Sequence, residues 1–272
     1  MRRMFPGVTL EPEDMYLLEP FQISYLPGWV PEAPLAALLI DRPGIEAFMR
    51  KRYPPISDFI DRIKIENPRA GSPEDALGSA QTVLWTLADM LVYSKCPRVY
   101  DSLDFHGWDF SQVTSITPLK GMTVIDAGAG TGRVAFEAAL HAKVVFAVEP
   151  VGRLRDFMRK KAEEHGVKNL HVVDGFLHRL PIPDDFAHVL ITSHALGWVL
   201  EKELPEMERV VRPGGHIIHC PGTSISEGDS EVHLALVSRD YSFSVYAESD
   251  GDKRRYWKKL PPDSCASARA GI

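Results

Sequence analysis

The stretch from Val124 to Ala139, VIDAGAGTGRVAFEAA, constrains the fold more than any other part of the chain. An apolar run closes on an acid, Asp126. Three glycines follow at alternate positions, Gly128, Gly130 and Gly132, and a helical pattern starts at once. Glycine allows backbone conformations closed to other residues and lets a ligand lie against the main chain. A buried strand feeding such a loop and then a helix is the opening unit of a doubly wound sheet. Ligands of such sheets sit in the crevice at the strands' carboxyl ends.

The pattern after Gly121 extends that unit. Apolar strand-like runs occur at 122–126, 144–148, 170–173, 187–192 and 216–220, and helical patterns at 133–141, 152–165 and 203–211 fall between them. Strands separated by helices imply crossover connections and a parallel sheet. A helix over 229–239 is expected to precede two last strands, 241–248 and 254–260, joined by Asp250-Gly251-Asp252. A short Asp-Gly turn between two strands predicts a hairpin. The expected fold is α/β: a doubly wound, seven-stranded, mostly parallel sheet with an antiparallel edge hairpin, plus a helical N-terminal extension.

That extension, residues 1–104, reads differently. Six prolines before residue 35 (Pro6, Pro12, Pro20, Pro27, Pro31 and Pro34) suggest an extended arm, because proline lacks a donor and is excluded from helix interiors. Helices are expected over 43–51 and 57–65. A longer one should run from a Ser72-Pro73-Glu74-Asp75 start to about residue 94. The ligand-binding domain is then 105–260, with a tail at 261–272.

Two ligand classes compete for the glycine loop. A dinucleotide site needs G-x-G-x-x-G, and counted from Gly128 the last position is Arg133, so that fingerprint fails. The order D-x-G-x-G-x-G resembles the first motif of class I S-adenosylmethionine-dependent methyltransferases. Three further stretches match that family in the expected order. Glu149 ends the second strand, 23 residues after Asp126, where a carboxylate accepts from both hydroxyls of a ribose. His171–Trp198 resembles the adenine-binding segment; aligned on Leu180-Pro181, it puts Gly175 at the family's glycine and Phe176 where many members carry an acid, with Asp174 one residue earlier. Glu203–His219 resembles the helix, Pro-Gly-Gly turn and fifth strand, with the glycines ending the helix. The resemblance implies S-adenosylmethionine as cofactor, held by Asp126, Gly128, Ala129, Gly130, Gly132, Glu149, Pro150, Asp174, Gly175, Phe176, Leu177 and Ser193.

Methyl transfer needs a base only if the acceptor loses a proton. His194, in the Thr192–Trp198 segment after the fourth strand, is the candidate base or acceptor-orienting group, since histidine titrates near neutrality. The remaining histidines, His219 and His233 among them, show no metal spacing and read as strand or surface residues. No metal is expected. Tyr100, Trp108 and Phe110 are candidates either for ligand contacts or for packing.

Charge and composition narrow the acceptor. The chain carries 31 Lys and Arg against 37 Asp and Glu, a net charge of −6, without the basic excess that phosphate backbones demand. Residues 253–259 do mix basic and aromatic side chains, but charged edge strands also protect sheets from aggregation, and that reading is favoured. Cys96, Cys220 and Cys265 form neither a disulfide framework nor a zinc pattern. No apolar run approaches the roughly 20 residues of a membrane span, and no secretory signal is read, so a cytoplasmic location is the default. The expectation is methyl transfer to a small-molecule acceptor, with no nucleic acid, no membrane and an open oligomeric state. A cofactor-binding protein without transfer activity and a protein or RNA methylase remain alternatives.

Overall fold

The computed structural model describes residues 4–68, 73–103, 107–248 and 251–262. The chain divides into two compact units, residues 1–103 and 104–272.

Among its described residues the first unit is helical. Its helices include Glu32–Asp41, Pro43–Arg52, Ser57–Glu66, Pro73–Thr86 and Ala88–Lys95. They enclose one core containing Leu35, Leu39, Met49, Ile63, Leu84 and Leu91. The expected N-terminal arm is instead part of this fold. Short helical turns run over Pro12–Leu17, Pro20–Ser24 and Leu26–Trp29, and Phe5, Leu10, Met15, Ile23 and Leu26 are buried. Two of the prolines there, Pro12 and Pro20, stand at a first helical position, as Pro43, Pro54 and Pro97 do farther along the unit. A missing N–H costs nothing at that position and the fixed φ suits the helix. The helix expected to run to residue 94 is two helices, broken at Leu87 (φ −96°, ψ 13°). Leu84, Leu87 and Leu91 are all buried, so the apolar period runs unbroken across the bend and hides it. Its proposed cap, Ser72, lies outside the described residues.

The second unit holds β1 (Thr123–Ala127), β2 (Val144–Val148), β3 (Leu170–Val173), β4 (Ala187–Thr192), β5 (Val211–His219), β6 (Ser242–Glu248) and β7 (Gly251–Lys259). The order across the sheet is β3-β2-β1-β4-β5-β7-β6. The first five strands pair in parallel, β7 is antiparallel to β5, and β6 is antiparallel to β7. This is the expected doubly wound sheet with its hairpin.

Alternation along the strands makes two cores. Val124, Val145, Ala147, Val189 and Ile218 meet Val134, Ala138 and Met158 from the Arg133–His141 and Gly152–Glu164 helices. Ile125, Ala127, Leu190 and Ile217 meet Leu204, Met207 and Val210 from the Leu200–Val210 helix on the other face. Each of the Val, Leu, Ile and Met side chains among these, taken fully out of water, contributes about 1.5–3 kcal/mol. Tyr100 packs against the first unit's core, Trp108 and Phe110 against one core of the second.

Two details differ from the sequence reading. The Pro213-Gly214-Gly215 turn does not end a helix, which stops at Val210; it is looped out within β5, where the register with β4 jumps from Ala187↔Val211 to Val189↔His216. A Cβ at Gly215 would lie 2.7 Å from the His188 carbonyl oxygen, so only glycine passes there. Residues 253–259 are not an edge strand either. They belong to β7, between β5 and β6, and their basic side chains serve internal contacts: Arg254 donates to the Gly228 carbonyl (2.7 Å), Arg255 to the Gln112 carbonyl (2.6 Å) and Lys258 to Glu208 (2.7 Å). The turn residue Asp250 and residues 263–272, including Cys265 and most of the proposed tail, lie outside the described residues.

Candidate functional site

All five parallel strands present their carboxyl ends on one side, and the loops after β1, β2, β3 and β4 gather there. The glycine loop is stitched to β2. The Gly128 and Ala129 N–H groups both donate to the Val148 carbonyl (2.9 and 3.0 Å), and Gly132 N–H donates to Ala129 O (2.8 Å). All three glycines have positive φ (77°, 56° and 86°). Gly128 is also sterically required, since a Cβ there would stand 2.4 Å from Ala195 Cβ and 3.2 Å from Leu177 Cδ1. Gly130 differs: a Cβ would meet nothing within 4 Å, so its Cα faces open space against which a ligand can lie.

Glu149 is 5% exposed and holds the loop directly. Its Oε2 accepts from Gly130 N–H (2.8 Å) and its Oε1 from Val151 N–H (2.9 Å). Burial pushes its carboxyl up to about 7, against the pull of those two N–H groups. A carboxylate offers about four lone-pair sites, so two remain for a vicinal diol. Asp126, 1% exposed at the end of β1, is likewise pushed up to about 7 by burial, opposed by the Ala135 N–H and reinforced by Glu149. Asp126 Oδ2 and Thr131 Oγ1 are buried without a hydrogen-bond partner. Unmatched buried polar atoms are costly, and a polar ligand would relieve these. Open main chain at Gly130, spare acceptor sites on Glu149 and partnerless atoms beneath the loop together fit an adenosyl amino acid.

The β3 end is held by Arg155, whose Nη1 donates to the carbonyls of Glu149 (2.8 Å) and Pro150 (2.7 Å) and to Asp174 Oδ1 (3.0 Å). Asp174 has a mostly exposed side chain paired to that guanidinium. Gly175 is there for space: a Cβ would come within 2.5 Å of Pro181 Cδ and 2.8 Å of Val148 Cγ1. Phe176 and Arg179 exchange backbone hydrogen bonds (3.3 and 3.0 Å) in a tight turn carrying Leu177, which is 9% exposed.

A cavity of about 220 Å³ opens beside the loop, at the ends of β4 and β5. Its walls include Thr192, His194, Ala195, His219, Thr223, Val232, Leu236 and Tyr256. Ala195 therefore borders both the cavity and Gly128. Polar atoms in the walls are chained together. Thr192 Oγ1 meets His219 Nδ1 (2.6 Å), and the Tyr256 hydroxyl meets Thr223 Oγ1 (2.7 Å) and His233 Nδ1 (2.9 Å). His233 Nε2 lies 3.5 Å from Asp229. Among the described residues no group of three His, Cys, Asp or Glu could hold a metal ion, and no helix is long and apolar enough to cross a membrane.

Comparison with known proteins bears on this arrangement. A model described as a methyltransferase domain matches residues 125–219, from inside β1 to the end of β5. Residues 125–219 form a methyltransferase domain. An uncharacterised methyltransferase of Mycobacterium tuberculosis is 27% identical over 38% of this chain and 40% of its own length. A demethylmenaquinone methyltransferase of Clavibacter sepedonicus is 34% identical over 42% of this chain and 46% of its own. The chain thus spans less than half the length of these curated relatives. A chain of the complex between the Haloferax volcanii Trm112 methyltransferase activator and the putative methyltransferase shares the fold, with a TM-score of 0.50 at 14% identity, covering 62% of this chain and 96% of that one.

Within the methyltransferase domain, the structure gathers Asp126, Gly128, Ala129, Gly130, Gly132, Glu149 and Pro150 around one loop, with Gly175, Phe176 and Leu177 beside it. Ser193 begins the segment that crosses Gly128, and His194 follows it with an exposed side chain and a left-handed backbone (φ 53°). Three residues escaped the sequence reading. Arg155 carried one signal: a cation in the first turn of a helix opposes the dipole and so needs another reason to be there. His219 and His233, read as strand or surface residues, are 2% and 8% exposed and belong to the cavity wall and the network behind it. No local pattern marks them, because their partners lie 27 and 23 residues away.

Proposed function

We propose that the chain transfers the methyl group of S-adenosylmethionine to a small-molecule acceptor held in the cavity at the ends of β4 and β5. The observation that carries this reading is the adjacency of the two places: the loop tied to Glu149 and the cavity share Ala195. When bound, the cofactor would supply an electrophilic methyl group on a sulfonium, with a neutral thioether as the leaving group.

The residues of the chain do the holding. Gly130 gives main chain for the amino-acid and ribose portion to lie on, and Glu149 uses its remaining lone pairs on the ribose hydroxyls. Asp126 and Glu149 place negative potential beneath a cationic ligand, where low polarity strengthens it. The turn at Phe176 and Leu177 covers the base, and the segment from Ser193 to Trp198 keeps water from the path between loop and cavity. That segment is anchored at Gly197, whose N–H donates to the buried Glu203 (3.0 Å). His194, at the rim, orients the acceptor or takes its proton.

Calorimetric titration with S-adenosylmethionine and S-adenosylhomocysteine tests the first half of the reading, and transfer of labelled methyl to a small-molecule fraction tests the second. Binding of both nucleosides and label in low-mass products are expected. An absence of heat with either nucleoside would remove the proposal.

A further inference from the structure

Resting on that reading for the cofactor, we propose that Arg155 is a positioning residue acting through Glu149: its guanidinium, held against the main chain that carries Glu149, keeps that side chain a carboxylate able to accept from both ribose hydroxyls.

Arg155 stands in the first turn of the Gly152–Glu164 helix that follows β2, with its side chain 16% exposed. Its Nη1 reaches back to the carbonyls of Glu149 (2.8 Å) and Pro150 (2.7 Å) and across to Asp174 Oδ1 (3.0 Å). The cation is thereby fixed beside the residue that ties down the glycine loop. A positive charge near a helix N-terminus works against the helix dipole. Its placement there needs a compensating gain, and Glu149 supplies one.

Both Glu149 oxygens already accept an N–H, Oε2 from Gly130 and Oε1 from Val151. A carboxylate then has two lone-pair sites left, one for each hydroxyl of a vicinal diol, and a proton on either oxygen would occupy one of them. Burial favours that proton: against the pull of the two N–H groups it pushes the carboxyl up to about 7. Three charged groups bear on the outcome. Asp126 at the end of β1 and Asp174 at the end of β3 oppose ionisation, and Arg155 favours it. Asp174 has a mostly exposed side chain that solvent screens, whereas the Arg155 side chain is largely shut from water. The balance near Glu149 therefore rests on Arg155.

The test measures S-adenosylhomocysteine affinity by calorimetry from pH 6 to 9 in three forms of the full chain. These are the unaltered protein, Arg155→Gln, which keeps a donor and loses the charge, and Arg155→Lys, which keeps the charge. Loss of the charge should move the pH midpoint of binding up by about one pH unit, the low end for an opposite charge at close range. Arg155→Gln is then about fivefold weaker than the unaltered protein at pH 7 and within about twofold of it at pH 9, while Arg155→Lys follows the unaltered curve. A residue that merely braced the fold would lower affinity by the same factor at every pH. The Glu149 carboxyl is also followed by ¹³C NMR in ligand-free, glutamate-labelled protein, with Glu149→Gln assigning the signal. Its titration should move up in Arg155→Gln and stay in place in Arg155→Lys. Arg155→Met replaces a glutamine variant that fails to fold. A loss uniform across pH, a Glu149 titration unmoved by the neutral variant, or a lysine variant that behaves like the glutamine one would each overturn the proposal. A chain that binds neither nucleoside loses the methyl-transfer reading, and the carboxyl titration still decides whether Arg155 acts on Glu149. One that binds with a pH profile unmoved by the variants loses only this inference.

Discussion

At the ends of β1 and β2 the candidate site is main chain and carboxylate, and every residue of it lies between Asp126 and Val151. At the ends of β4 and β5 the surface is neutral side chains drawn from Thr192 to Tyr256, held by hydrogen bonds that span 23 to 33 residues. On the proposed function, the first half would fix its ligand by backbone shape and charge. The second would fix one by the outline of a cavity and a few polar atoms. A surface made of backbone tolerates little side-chain variation, whereas a cavity lined by side chains from distant elements can be resized without disturbing the sheet.

Substitution at Gly128 should separate the halves most sharply. Gly128→Val forces a branched residue into the left-handed region, at about 1–2 kcal/mol, and drives its Cβ into Ala195 and Leu177. Cofactor affinity measured by calorimetry is expected to fall on the order of a hundredfold, about 2.8 kcal/mol. Retained affinity would mean that the loop is not the binding surface.

Glu149→Gln comes next. It replaces a charged acceptor with an amide whose NH₂ would face the Gly130 or Val151 N–H, and a charged hydrogen bond of about 1.5–3 kcal/mol makes the loss roughly ten- to a hundredfold. This side should also respond to pH. In the ligand-free protein Asp126 and Glu149 are both raised to about 7, so the folded state keeps protons that the unfolded chain sheds near its ordinary carboxylate range. Stability contributed by these groups is therefore present at low pH and lost as pH climbs through about 7. Thermal melting at pH 5 and 8 should show the lower midpoint at pH 8, and Asp126→Asn should narrow the difference. Cofactor affinity should move the other way, strengthening as Glu149 ionises.

Tyr256→Phe probes the other half. It strips partners from Thr223 and His233, and denaturant titration should report a loss of about 1–3 kcal/mol, while cofactor affinity stays as it was. A drop in cofactor affinity would show that the halves are coupled. The smallest effect is expected for Asp174→Asn. Its exposed pairing with Arg155 is worth about 0.2–1 kcal/mol, so stability and cofactor affinity should barely change; a large loss of affinity would establish Asp174 as a contact to the base.

Legibility in the sequence follows the same division. The loop and Glu149 were readable because their chemistry is local: three glycines, a strand-end acid and a fixed offset sit in one stretch. The parallel strands and the hairpin followed from alternation and a turn signal. The first 35 residues misled because proline both ends helices and starts them, and only burial of Phe5, Leu10 and Met15 distinguishes the two uses. The strand at 253–259 misled because charge pointed to an edge, while Arg254, Arg255 and Lys258 are consumed by contacts with residues 112 to 228.

By itself the amino-acid order determined the α/β class, the glycine loop and the acid that ends the second strand, since each depends on neighbours in the chain and on the period of its apolar residues. Tertiary structure alone decided that His219 is sealed behind Thr192, that Tyr256 joins His233 to Thr223, and that Ala195 borders loop and cavity alike. Those relations are distances between segments far apart in the chain, and only the packing of the sheet and its helices sets them.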